Sequence, residues 1–189
     1  MTNLEQLDNQ IQALIRSQRN SEDISSYNAA LILKASMLII TLLVLFILEG
    51  YNYMMLLSVA VLLILFMTYR IRVSAAAKAL DKINIDGLQD SPEPESILKK
   101  IDYLNAGLNV KRARVKSVTQ FYTFTTPLFL VMMKEILHGP QSSRFVFWAM
   151  IITLIFSFFI WRAFFITDYD NLDLVKIKAD RIADEVNKL

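Results

Sequence analysis

Four long apolar segments, at roughly 31–48, 54–69, 118–133 and 145–161, limit the fold of this chain more than any other feature. A helix needs about 20 mostly apolar residues to cross a bilayer, with a range of about 17–25. Each segment reaches that length once its polar fringe is counted. Composition agrees: 54% of the residues are hydrophobic, against about 45–50% in soluble domains. The spacing therefore predicts four transmembrane helices.

The first apolar run follows a polar stretch that carries carboxylates. It lacks the basic start and short apolar core of a cleaved signal peptide, so the first span is expected to remain in the mature protein. The chain has no cysteine, which excludes disulfides, thiolate catalysis and cysteine metal sites.

Orientation follows from the positive charges. Of the 20 Lys and Arg, 17 fall before the first span, between the second and third, or after the fourth, and Lys34 belongs to the same side, with Lys134 and Arg144 alone on the other. The positive-inside rule then puts both termini and the middle loop in the cytoplasm, in a cell membrane of the bacterial inner-membrane type. Lys34 falls about one turn inside the cytoplasmic end of the first span, and Arg162 holds the equivalent place on the fourth. Both are read as snorkelling: the aliphatic stem lies in hydrocarbon and the charged tip reaches the headgroups. The alternative is an intramembrane charge lining an ion or proton path.

Short connections join the spans in pairs. Glu49-Gly50-Tyr51-Asn52-Tyr53 suits a tight hairpin, and Gly139-Pro140 stops one helix before the next begins. The cytoplasmic segments carry helical stripes. Thr2-x-x-Glu5 has the pattern of a capping box, and Leu4, Leu7, Ile11 and Leu14 follow at helical spacing. Past the second span, Ile71, Ala75, Ala79 and Ile83 share one face, with no breaker before Gly87. Ser91-Pro92-Glu93-Pro94-Glu95 marks another start, from which Ile97, Ile101, Leu104 and Leu108 keep heptad spacing. Gly107 offers a break in this helix, with a kink near Asn105–Asn109. The tail repeats the theme with Leu172, Val175, Ala179, Ile182, Val186 and Leu189.

The expected fold is thus an all-α membrane protein, with four transmembrane helices in two hairpins and amphipathic cytoplasmic extensions. Its segments are an N-terminal cytoplasmic helix (1–26), a first transmembrane hairpin (27–70), a cytoplasmic helical hairpin (71–117), a second transmembrane hairpin (118–163) and a C-terminal cytoplasmic helix (164–189).

Motifs that carry chemistry are missing. The four glycines lie far apart, so no glycine-rich phosphate cradle can form, and neither HExxH nor GxSxG occurs. The single histidine, His138, has only Glu135 nearby as a co-ligand and reads as a turn residue. The acidic run from Asp168 to Asp173 lacks the glycine and terminal glutamate of a calcium loop, and reads as a capped helix junction with Asp170 or Asn171 at the cap. The basic run from Lys111 to Lys116 precedes a span, where anionic lipid attracts such charges without any role for nucleic acid. No catalytic, metal or cofactor residue is expected, and no cofactor.

Two functions remain. One is a non-enzymatic structural, assembly or regulatory component, with Ile97, Ile101, Leu104 and Leu108 as its partner face. The other is a small oligomeric channel or transporter subunit, with Thr123, Thr125 and Thr126 of the third span lining the path. The expected partners are the lipid bilayer and either further copies of this chain or another membrane protein.

Overall fold

A computed structural model describes residues 3–20, 24–49, 53–83, 93–138 and 143–188. Among them all regular structure is helical, with no strand. The six helices are α1 (Asn3–Asn20), α2 (Ile24–Glu49), α3 (Tyr53–Asp81), α4 (Pro94–His138), α5 (Ser143–Phe164) and α6 (Ile166–Val186). The expected capping residue Thr2, the centres of both short turns, and Ser91-Pro92 lie outside the described residues. The start of α4 is described: the Glu93 carbonyl accepts from the Ile97 amide at 3.1 Å, and Pro94 fills the first helical position, where a missing N–H costs nothing.

Two expectations about helix boundaries are corrected. α4 runs without a break through Gly107 and Pro127. The glycine lacks only a side chain, and packing along the rest of the helix outweighs its propensity penalty of about 1 kcal/mol. α6 begins at Ile166, so Asp170 and Asn171 sit inside the helix rather than at its cap. The Phe165 amide still donates to the Trp161 carbonyl at 3.1 Å, so α5 passes almost directly into α6. Asp168 occupies the first turn of α6, where the positive helix end favours a carboxylate.

The chain divides into two compact units. The first comprises 1–24, 71–114 and 167–189, and the second 25–70 and 115–166. In the first unit each helix buries one stripe: Leu7 and Ile11 from α1, Ile97, Ile101, Leu104 and Leu108 from α4, and Leu172, Ala179, Ile182 and Val186 from α6. Fully burying a Leu or Ile side chain contributes about 1.5–3 kcal/mol, which short helices that are marginal alone in water require. The α3 segment differs from expectation. Ile71 is 68% exposed, and Ala75 and Ala79 are exposed with it, while Val73, Ala76, Ala77 and Leu80 turn inward. In so alanine-rich a stretch the apolar contrast is weak, and Val73 and Leu80 set the phase.

The second unit is built around α4. Leu128 and Met132 form a core with Leu38 and Leu42 of α2, against which Val61 and Leu62 of α3 and Met150 of α5 pack. Val131 meets Val146, with Ala149 and Met150 beside them. The stripe of α4 that is buried here contains Val118, Phe121, Thr125, Leu128, Met132 and Glu135. The other helices turn large apolar side chains outward, among them Ile40 and Ile47, Leu63 and Phe66, and Phe156 and Phe159.

Among the described residues two helices are long and apolar enough to cross a membrane, Leu56–Asp81 and Arg144–Phe164. The described apolar stretch of α2 is the shorter Ile32–Val44. In α4 the hydropathy is diluted by Thr119, Gln120, Thr123, Thr125 and Thr126.

Candidate functional site

In the first unit, α4 carries three polar ties to other helices. Lys100 Nζ lies 2.7 Å from Asp8 Oδ1, with the two side chains only 8% and 10% exposed. The second carboxylate oxygen of Asp8 accepts from Gln12 Nε2 at 2.8 Å, so both oxygens are engaged. Lys111 Nζ donates to the Gln18 carbonyl at 2.5 Å and to Gln18 Oε1 at 2.8 Å. That carbonyl is in the last turn of α1, where helix geometry leaves acceptors unpaired and a cation is favoured. The third tie is the ion pair between Arg112 and Asp173.

The sequence did not single out these ties. Their signal is a charge set within an apolar stripe: Asp8 is one residue after Leu7 and three before Ile11, and Lys100 is flanked by Ile97, Ile101 and Leu104. The expected partner face is itself inside the unit, with Ile97 0%, Ile101 3%, Leu104 3% and Leu108 5% exposed. A heptad stripe reads the same whether its cover comes from its own chain or another. Large apolar residues of this unit that stay exposed include Ile71, Leu174 and Ile177.

Beside the Arg112–Asp173 pair lies a cleft of about 130 Å³ between α4 and α6, lined by Asn105, Leu108, Asn109, Arg112, Leu172 and Lys176. On α4 the polar residues recur at one-turn intervals, and on α6 Lys176 follows Leu172 by one turn. Its lining combines two buried leucines with two amide side chains, a guanidinium and an ammonium. Asn105 also keeps a buried side-chain oxygen without a hydrogen-bond partner.

In the second unit the three candidate path residues sit together on α4. Thr123 and Thr125 are buried, and Thr126 is half-buried. Each hydroxyl donates to the carbonyl four residues back, on Thr119, Phe121 and Tyr122, at 2.8, 2.8 and 2.7 Å. Such back-bonding to the i−4 carbonyl is a common arrangement for a threonine inside a helix. Thr126 Oγ1 also accepts from the Trp161 indole N–H at 3.1 Å, and Trp161 packs on Tyr122 with ring centroids 4.3 Å apart.

Lys34 is half-buried, and its ammonium lies 5.1 Å from the centroid of Phe129 and 5.8 Å from that of Tyr122. Arg162 is exposed. Glu135, read from the sequence only as a neighbour of the turn, is 2% exposed. The signal was available: it lies three residues beyond Met132 and continues the buried stripe. Ser58, also fully buried, donates to the Met132 sulfur at 3.7 Å. Among the described residues no three metal-ligating side chains converge. Compared with protein-family models, curated proteins and solved structures, the chain matches none.

Proposed function

We propose that this chain is a non-enzymatic, multi-pass membrane protein with four spans, with its termini and middle loop in the cytoplasm of a bacterial cell. The helices of its first unit serve as a structural, assembly or regulatory element. The observation that carries this reading is the inverted arrangement of the second unit. The threonine-rich stretch of α4 is inside, and the most apolar helices turn Ile, Leu, Phe and Trp outward. In the window of Leu56–Asp81 only 6% is buried, and in that of Arg144–Phe164 only 11%. Soluble monomers rarely expose contiguous apolar patches beyond a few hundred Å², whereas a bilayer covers such a surface without cost. The polar α4 segment then spans because its neighbours shield it from lipid. Within the first unit the surface offered to a partner includes Leu174 and Ile177, which stay exposed beside the stripe that α6 buries.

Cysteine-accessibility mapping tests the topology, and the native chain has no cysteine to remove. Single substitutions Lys99→Cys and Lys188→Cys should resist an impermeant maleimide in intact cells and react after permeabilisation. Arg144→Cys should react in intact cells. Labelling of Lys99→Cys from outside would refute this topology. For the assembly role, Leu174→Glu and Ile177→Glu should change the oligomeric state or the co-purified proteins while membrane insertion persists. Unchanged profiles in both variants would remove that role.

A second reading, an oligomeric channel or transporter subunit, draws on the buried carboxylate of Glu135 in line with Thr125 on one face of α4. Ionisable groups at membrane depth commonly mark conduction paths. Ion flux in planar bilayers that falls with Glu135→Gln or Thr125→Val would favour it. Silence of the purified protein would count against it.

A further inference from the structure

We infer that the cleft between α4 and α6 is a binding site for a phosphate group, and that an anionic phospholipid headgroup supplies it. The inference rests on the membrane reading only for the source of the phosphate, not for the site. Four features support it.

The donors fit the ligand. The residues lining the cleft include Arg112, Lys176, Asn105 and Asn109, which bring a guanidinium, an ammonium and two side-chain amides. A guanidinium has five N–H donors in a planar fork suited to phosphate oxygens. Asp173 engages its Nη2, which leaves the remaining donors for a ligand. The pair is open to solvent, with side chains 39% and 55% exposed, so it is weak and easily shared. Counting Arg112, Lys176 and Asp173, the site carries one net positive charge.

The size fits as well. About 130 Å³ is well below the roughly 300–1,000 Å³ of clefts that engulf a nucleotide or drug-sized ligand. A phosphate group with its first carbons can enter, and the remainder of the molecule must stay outside.

The apolar lining separates a lipid phosphate from a free one. Leu108 and Leu172 line the cleft, and both are buried. Carbon attached to the phosphate gains from contact with two leucines, whereas a bare inorganic ion gains nothing there.

Position supports the same source. Arg112 precedes Val118, the expected start of the third span, by six residues of unbroken helix, a rise of about 9 Å. Basic groups this close to the cytoplasmic end of a span meet a headgroup layer of negative potential, worth about 1 kcal/mol for each Lys or Arg near the surface. Lys111, Arg114 and Lys116 surround Arg112 in sequence and raise the local anion concentration.

The test uses the purified full-length protein in a neutral detergent. It is titrated with dihexanoyl phosphatidylglycerol, dihexanoyl phosphatidylcholine or inorganic phosphate, with thermal unfolding and native mass spectrometry as readouts. Wild type should show saturable stabilisation by phosphatidylglycerol, with phosphatidylcholine at least 10-fold weaker. Lys176→Gln leaves the Arg112–Asp173 pair intact and should unfold at the wild-type temperature without ligand, yet bind phosphatidylglycerol at least 5-fold more weakly. Arg112→Gln should lose more, Asp173→Asn should bind more tightly, and Lys99→Gln, away from the cleft, should match wild type. Inorganic phosphate binding as tightly as the lipid, and as sensitive to Lys176→Gln, would keep the site and assign it to a soluble phosphate. No saturable binding of either, or equal binding by Lys176→Gln, Arg112→Gln and wild type, would overturn the site. Should the chain prove soluble without detergent, the membrane reading falls while the phosphate titration still reports on the cleft.

Discussion

Asp8 and Lys100, 92 positions apart in the chain, meet at 2.7 Å inside the first unit, and neither side chain is more than 10% exposed. A carboxylate and an ammonium taken out of water lose several kcal/mol of solvation each, and their attraction roughly offsets that loss. The pair therefore specifies which helices meet more than it adds stability. Lys100→Met alone should destabilise the protein by about 3–5 kcal/mol, because it leaves a buried, uncompensated carboxylate. Asp8→Leu combined with Lys100→Met should return to within about 1 kcal/mol of wild type or exceed it. Thermal and denaturant unfolding of the three proteins decides the matter. A double variant as unstable as the single one would show that charge compensation is not what the site requires.

Gly107 lies in mid-helix, and a Cβ built on it would meet nothing within 4 Å. Alanine there should stabilise the protein by about 0.5–1 kcal/mol, by restricting the unfolded backbone. A fall in unfolding temperature for Gly107→Ala would mean that the position needs its conformational freedom, as a hinge would.

Lys34 points its ammonium at two aromatic rings of α4, a contact worth roughly 0.5–2 kcal/mol depending on desolvation. Leucine would lose the contact and also the desolvation of a charge, so the two changes oppose each other. Lys34→Arg and Lys34→Leu should both stay within about 1 kcal/mol of wild type, judged by solubilised yield and thermal stability. A leucine variant that folds normally but loses flux or a partner complex would make Lys34 part of a working path.

Glu95 provides a pH dependence of known sign. A hydrogen bond from Lys99, at 2.8 Å, and the positive charge of that lysine hold its carboxyl below the usual carboxylate range. A folded-state value lower than the unfolded one means stability that is present above the unfolded pKa and lost as pH falls through the folded one. The pair is open to solvent, with the Lys99 and Glu95 side chains 55% and 79% exposed, so the effect is small. Stability measured between neutral pH and about pH 3 should fall slightly less steeply in Glu95→Gln than in wild type. A steeper fall in the variant would contradict the assignment.

Helicity was legible in the sequence wherever large apolar side chains recur at helical spacing. Leu7 and Ile11, Ile97 to Leu108, and Leu172 to Val186 all turn inward as their spacing implies. Reading failed where contrast was low or where one residue was made to stand for a boundary. Ala75 and Ala79 resemble their alanine neighbours too closely to fix a phase. Gly107 carries a propensity cost that long-range packing overrides. The partner of a stripe is not encoded by its period, so the burial of Ile97 to Leu108 within one chain had to come from the structure. The same holds for Asp8 with Lys100. Each charge is visible in its stripe, but their pairing depends on how α1 and α4 come together. Glu135 is the instructive omission, since it was weighed only as a neighbour of His138 although its phase matches Met132 and Leu128.

The first unit draws on three stretches of chain that are far apart, 1–24, 71–114 and 167–189. A ribosome adding roughly 5–20 residues per second places Lys100 about 5–20 s after Asp8, and α6 emerges later still. During that interval Leu7 and Ile11 of α1 still lack their final cover. Biogenesis thus has an imposed order, with closure of the first unit last, once its three stretches have all been made.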